Sequence, residues 1–227
     1  MTCWRWFLLV LFLCYSSALA QTTRPAAPRP SATQAAWQLN PSLPTVFLAG
    51  DSTAQVGDPQ HTGWGKTFAT YIDRAKANWV NAAIGGRSSR TYVTEGRWDR
   101  IANALKPGDF VLIQFGQNDG GAINDPARAR GSLPGLGDET KEIDNLQTHQ
   151  HEVVHTFGWY MKKMVEETKA KGAYPILIGL TVRNRWTNGH VERINGNYSE
   201  LTRQIAVAEG VAYIDLTDMV ADRYEQM

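Results

Sequence analysis

Three short segments carry residue types suited to acyl transfer: Gly50-Asp51-Ser52, Gly85-Gly86-Arg87-Ser88 and Gly116-Gln117-Asn118-Asp119. A serine hydroxyl is a weak nucleophile until it is exposed, oriented and served by a base, and a turn directly after a buried strand is a suitable mount. Ser52 follows the apolar run 45–50 and has that mount. Attack on a carbonyl puts negative charge on its oxygen, and each well-placed donor aimed there contributes roughly 3–4 kcal/mol. Gly86 can bring its backbone N–H close because it has no side chain, Asn118 can offer a neutral amide N–H, and the Ser52 N–H is a third donor. Singly, each segment also reads as an ordinary polar turn, because Asp and Ser bond nearby backbone N–H groups and Asn118-Asp119-Gly120-Gly121 is a turn tetrad. Their succession makes them a candidate site.

The elements that must position them alternate. Short apolar runs at 45–50, 79–84, 110–115, 175–180 and 211–216 predict buried strands, and 64–76, 98–105, 153–171 and 199–209 have helical spacing. Gly172 and Gly210 stand where two of these helices should stop. Repeated βαβ units of this kind predict an α/β fold of three layers, α/β/α, around a parallel sheet of five strands. Ligands bind such sheets beyond the carboxyl ends of the strands, and all three chemical segments fall there, after the first, second and third runs.

The 227 residues, 43% hydrophobic and 20% charged, suit one globular domain, expected at 45–227 and as a monomer. Residues 1–20 combine Arg5, an apolar run 6–14 and the ending Ala18-Leu19-Ala20, the pattern of a secretory signal peptide. The run is shorter than the roughly 20 apolar residues of a membrane span, so a secreted or periplasmic protein is expected, with no membrane contact after cleavage. Residues 21–44 are rich in Pro, Ala, Thr and Ser without apolar periodicity and read as a tether. Both cysteines, Cys3 and Cys14, lie in the leader, so no disulfide is expected in the mature chain. Removing the leader takes Arg5 from 23 basic residues and none of the 22 acidic ones, which leaves no electrostatic bias toward nucleic acid.

In order and wording, GDSTAQ, NAAIGGRSSRTYVTEGR, IQFGQNDGG and HTFGWYMKKMVEETKAKGAYPILIGLTVRN resemble the SGNH or GDSL hydrolase family, and within it the rhamnogalacturonan acetylesterase branch, over most of 45–216. The resemblance implies a flavodoxin-like sheet, Ser52 as nucleophile, and Gly86 and Asn118 sharing an oxyanion hole with the Ser52 amide. It implies an acetylated pectic polysaccharide or oligosaccharide as substrate, and no cofactor or metal. It also implies an Asp-x-x-His pair after the last strand, in which His is the base. Nothing after Leu216 matches that pair, and the expectation is a sequence that stops short of it.

The five histidines are His61, His149, His151, His155 and His190, and a base must come within hydrogen-bond reach of Ser52. His190 follows the fourth apolar run and could reach the rim. His151-Glu152-Val153-Val154-His155 fits H-E-x-x-H, which on a helix would set two zinc ligands on one face with Glu152 as base. The alternatives are therefore a zinc hydrolase built on these residues, or a non-hydrolytic carbohydrate-binding protein that has lost its base. For substrate contacts, Arg87 and Arg90 could meet sugar hydroxyls or uronate carboxylates, or pair with acids such as Glu95. Trp64 and Trp186 are the tryptophans placed to stack on sugars, while Trp79, Trp98 and Trp159 read as core.

Overall fold

A computed structural model of the chain describes residues 37–193 and 197–227. The leader expected at 1–20 and the first part of the tether lie outside them. The elements in order are β1 (Thr45–Gly50), α1 (Trp64–Phe68) with a 3-10 turn (Ala69–Tyr71), β2 (Asn78–Asn81), α2 (Ser89–Thr94), α3 (Arg97–Ala104), β3 (Phe110–Gln114), β4 (Thr140–Asn145), β5 (Gln150–His155), α4 (Phe157–Ala170), β6 (Tyr174–Ile178), β7 (Trp186–Thr187), β8 (His190–Val191), α5 (Tyr198–Glu209), β9 (Ala212–Ile214) and α6 (Leu216–Glu225).

Five of the strands form one parallel sheet in the order β2-β1-β3-β6-β9. This is the flavodoxin-like order: the chain steps from β1 to β2 on one side, then crosses to β3 on the other, opening a crevice at the carboxyl ends of β1 and β3. The strands are apolar on both faces because both faces are covered. Phe47, Ala49, Val111, Ile113 and Leu177 share a core with Trp98 and Ile101 of α3, Met161 and Val165 of α4, and Ile205 of α5. Leu48, Leu112 and Ile178 point the other way, toward Trp64 of α1 and Leu216 of α6. The expected three layers and five strands are present.

Two departures from the sequence reading matter for the site. Residues 153–155 do not begin a helix. They end β5, which pairs antiparallel with β4, and α4 starts only after Thr156, whose Oγ1 accepts the Trp159 N–H at 3.0 Å as an N-cap. A second hairpin, β7–β8, turns on Asn188 and Gly189 at φ 53° and 81°, the left-handed pair that a two-residue hairpin turn requires. The stretch read as a tether also ends inside the domain, since Trp37 packs edge-on against Phe47 at 5.4 Å and carries the Arg100 guanidinium 3.9 Å over its ring.

Candidate active site

Each of the three chemical segments leaves the sheet through a turn with its own lock. After β1, the fully buried Asp51 carboxylate accepts from the Thr53 N–H at 2.8 Å and the Thr53 hydroxyl at 2.9 Å. Such a side-chain-to-backbone bond two residues on is an Asx turn. Here the turn tendency that made Gly-Asp-Ser ambiguous in the sequence is what mounts the serine: Asp51 and Ala54 are buried while Ser52 between them is exposed. The approach is close packed. A Cβ on Gly65 of α1 would lie 2.3 Å from the Ala54 carbonyl oxygen, so only glycine lets α1 pass under the turn.

After β2, the Gly85 N–H is held at 2.6 Å by Gln55 Oε1 of the first loop, and Gly86 follows at φ 77°, a left-handed conformation that costs glycine little. Ser88 then caps α2 through a reciprocal pair of bonds with Thr91. Among the described residues, no acceptor engages the N–H of Ser52 or of Gly86. Two backbone donors on adjacent loops therefore stand available to a developing oxyanion.

After β3, Asn118 Nδ2 donates to the Arg87 carbonyl at 2.8 Å and, at a longer 3.3 Å, to Asp51 Oδ2. This amide joins all three loops and points its donor edge toward the first two. Its neighbour Asp119 is fully buried and accepts from the Ser89 N–H at 3.1 Å, the Ser89 hydroxyl at 2.5 Å and the Ser132 hydroxyl at 3.2 Å. Burial pushes the Asp119 carboxyl from an ordinary 3.8 up to about 6, against the pull of those donors and with the Asp51 carboxylate adding to the rise. The folded chain thus holds this proton to higher pH than the unfolded chain does. The contribution to stability is complete below 3.8 and is lost as the pH rises to about 6. A carbon-13 titration is expected to place the Asp119 midpoint near 6, and Asp119→Asn to remove a falling segment from the stability curve between 3.8 and that value. A midpoint near 4 would show that the three donors outweigh burial.

A pocket of about 190 Å³ opens over these loops at the β1–β3 crevice, and Ser52, Asn118, Gln117, Arg130 and Arg183 are among its lining. Gln117 Nε2 donates to the Thr181 carbonyl at 3.0 Å, which ties the third loop to the segment after β6.

With this geometry in place, the comparisons with known proteins fall into line. Residues 48–227 match the GDSL-like Lipase/Acylhydrolase family. The chain belongs to that family. It is similar to a rhamnogalacturonan acetylesterase of Emericella nidulans, 36% identical over 183 residues, which are 81% of this chain and 71% of that one. It is also similar to the rhamnogalacturonan acetylesterase RhgT of Bacillus subtilis, 30% identical over 184 residues, 79% of this chain and 68% of that one. Among solved structures, the Bacillus subtilis protein YxiM superposes with a TM-score of 0.63 at 25% identity, over 82% of this chain and 47% of that one. This chain thus spans about half of that solved chain. The acetylxylan esterase Axe2 of Geobacillus stearothermophilus shares the fold, with a TM-score of 0.55 at 17% identity over 81% of each chain. The GDSL-family chain is a carboxylic ester hydrolase of the SGNH type.

The GDSL-family site also redistributes the residues that the sequence set near it. Arg87 turns from the pocket: its Nε meets Glu95 Oε2 at 3.1 Å and its Nη1 the Gly85 carbonyl at 3.0 Å. Arg90 is fully buried, with Nε and Nη2 on the two Glu152 oxygens at 2.7 and 2.6 Å. Trp64 is not a rim platform, since its Nε1 donates inward to Gln114 Oε1 at 2.8 Å and its ring packs under the sheet. Trp186 is exposed on the β7–β8 hairpin, its Nε1 on Asn184 Oδ1 at 2.7 Å, and it does not line the pocket. The zinc alternative fails on secondary structure. His151 to His155 is a strand, so Glu152 faces away from both histidines to hold Arg90, while His151 lies by Asp144 and His155 stacks on Trp159 at 3.8 Å. His190 is exposed beside Glu225. Among the described residues, no histidine lines the pocket. Sequence reasoning missed Arg130 and Arg183, which occupy segments without periodicity.

Proposed function

We propose that this GDSL-family chain is a secreted serine carbohydrate esterase that removes O-acetyl groups from pectic polysaccharide of the rhamnogalacturonan type. The observation that carries it is the juxtaposition of an exposed Ser52 with the unengaged N–H groups of Ser52 and Gly86 and the amide of Asn118. The two acetylesterase relatives, at 36% and 30% identity, support the substrate class. The leader-like residues 1–20 support export.

In the reaction, Ser52 Oγ forms a bond to the acetyl carbonyl carbon as a base takes its proton. The carbonyl oxygen becomes an oxyanion among the Ser52 N–H, the Gly86 N–H and Asn118 Nδ2, and the sugar alkoxide leaves with a proton. Water then attacks the acyl-serine, releasing acetate and restoring Ser52. Asn118 reaches the oxyanion by exchanging its 3.3 Å bond to Asp51 for one to the substrate, while the 2.8 Å bond to Arg87 keeps it aligned.

Acetate release from acetylated rhamnogalacturonan tests this reading, with acetylated xylan as the comparison. Asn118→Ala is expected to lower kcat by about 10²- to 10³-fold with little change in KM, because the bond it removes is made to the transition state. Equal loss on kcat and KM, or faster turnover of the xylan, would contradict the assignment. A second expectation concerns the base. Exchanging each of the five histidines for Gln is expected to leave the rate within about twofold, since none lines the pocket. A tenfold fall at any one of them would identify it as the base.

A further inference from the structure

The arginines near the rim divide into two groups. Arg87 is neutralised by Glu95 and Arg90 by Glu152. Arg130 and Arg183 line the pocket beside Ser52, and among the described residues no acidic side chain lines it with them. Arg130 is half-buried and donates from Nη1 to the Gly86 carbonyl at 3.2 Å, which leaves most of its N–H donors uncommitted. Arg183 is exposed, and among the described residues its side chain makes no hydrogen bond or ion pair. The nearest negative charges, Asp51 and Asp119, favour the charge on Arg130, while burial and Arg128 oppose it. Their oxygens, however, are occupied by Thr53, Asn118, Ser89 and Ser132. Arg183 is held in place by its surroundings: Val182 is buried against Val191 and Ala221, and Arg193 ties the same segment to Asp218 and Asp222 of α6. Two uncompensated guanidinium groups over a nucleophile are a site for an anion, and the planar fork of arginine matches a carboxylate.

We propose that Arg130 and Arg183 are the residues that hold a uronate carboxylate of the pectic chain, and that they set the preference of this pocket for a charged over a neutral polysaccharide. The inference rests on the esterase reading of the Ser52 pocket and adds to it the two residues that read the charge of the sugar.

The test is calorimetric titration of the chain at low ionic strength with trigalacturonate and with its methyl ester, which differs only in having its charges capped. The free acid is expected to bind at least about tenfold more tightly, and the gap to shrink as salt is added. Arg183→Gln, an exposed change that leaves the fold intact, should remove most of the gap, and Arg183→Lys should restore part of it. Ser52→Ala should bind the acid as the unaltered chain does, which keeps this result separate from the fate of the esterase reading. Absence of hydrolysis by the unaltered chain, with its charge preference intact, would count against that reading and leave the carboxylate site standing. Equal affinity for acid and methyl ester would overturn the proposal, as would a gap that survives both Arg183→Gln and Arg130→Gln. Competition by free acetate as strong as that of the uronate would overturn it too, by assigning the guanidinium pair to the product.

Discussion

Where a base serves Ser52, Ser52→Ala is expected to lower acetyl-ester hydrolysis by at least about 10³-fold while leaving stability within about 0.5 kcal/mol. The two halves of this expectation come from the same feature. Ser52 is exposed at the crest of a turn held by its neighbours, through Asp51 to Thr53 and through the Ala54 and Gln55 N–H groups to the Asp51 carbonyl at 3.2 and 3.0 Å. Its own side chain holds nothing in the fold, so its removal deletes the attacking oxygen and leaves the loops in place. What remains is binding and the oxyanion donors, which accelerate the reaction far less than the complete apparatus. Comparable loss of activity and of stability would mean that Ser52 is a structural turn residue. Retained activity would mean that the nucleophile lies elsewhere.

The second large effect is on the fold beneath the site. Glu152→Ala is expected to cost about 3–5 kcal/mol in urea denaturation, because it strands the fully buried Arg90 without its counter-ion. Arg90 also donates from Nη1 to the Ile123 and Gly131 carbonyls, each at 2.7 Å. The pair thus joins α2, the β4–β5 hairpin and the loop that presents Arg130. Glu152 is held below the usual carboxylate range. Burial would raise it, but hydrogen bonds from Arg90 and Asn145 and the charge of Arg90 outweigh that. Its contribution is therefore present above the ordinary glutamate range and is lost as the pH falls through the lowered folded value. Replacing both partners by apolar residues of similar volume, Arg90→Met with Glu152→Leu, should cost less than Glu152→Ala alone, since no buried charge is then left unpaired. A double variant at least as unstable as the single one would contradict this account.

What could be read before the structure follows from range. The five sheet strands were legible because each is a buried apolar run, and the loops that follow them inherit their position from topology. The sequence predicts a helix over 153–171, which starts too early because Val153, Val154, Phe157, Tyr160, Met161 and Met164 keep helical spacing across a strand end. In the structure Val154 is buried and Val153 exposed, the alternation of a strand, and the Thr156 cap marks the true start. That cap, a threonine ahead of the periodic run, was the available signal. The sequence sets Trp64 at the rim and leaves Arg90 open between a sugar and an acid, because their partners, Gln114 and Glu152, lie 50 and 62 residues away. For the same reason Arg130 and Arg183 could not be placed at the pocket: only the folded sheet brings them to Ser52.

The central claim is that Ser52 is the nucleophile, and the most direct measurement is reaction of the chain with a fluorophosphonate followed by peptide mass mapping. The account predicts a single adduct, on the peptide carrying Ser52, that is absent from Ser52→Ala and slowed in Asn118→Ala. An adduct on another serine, or acetate release that continues while Ser52 stays unlabelled, would contradict it.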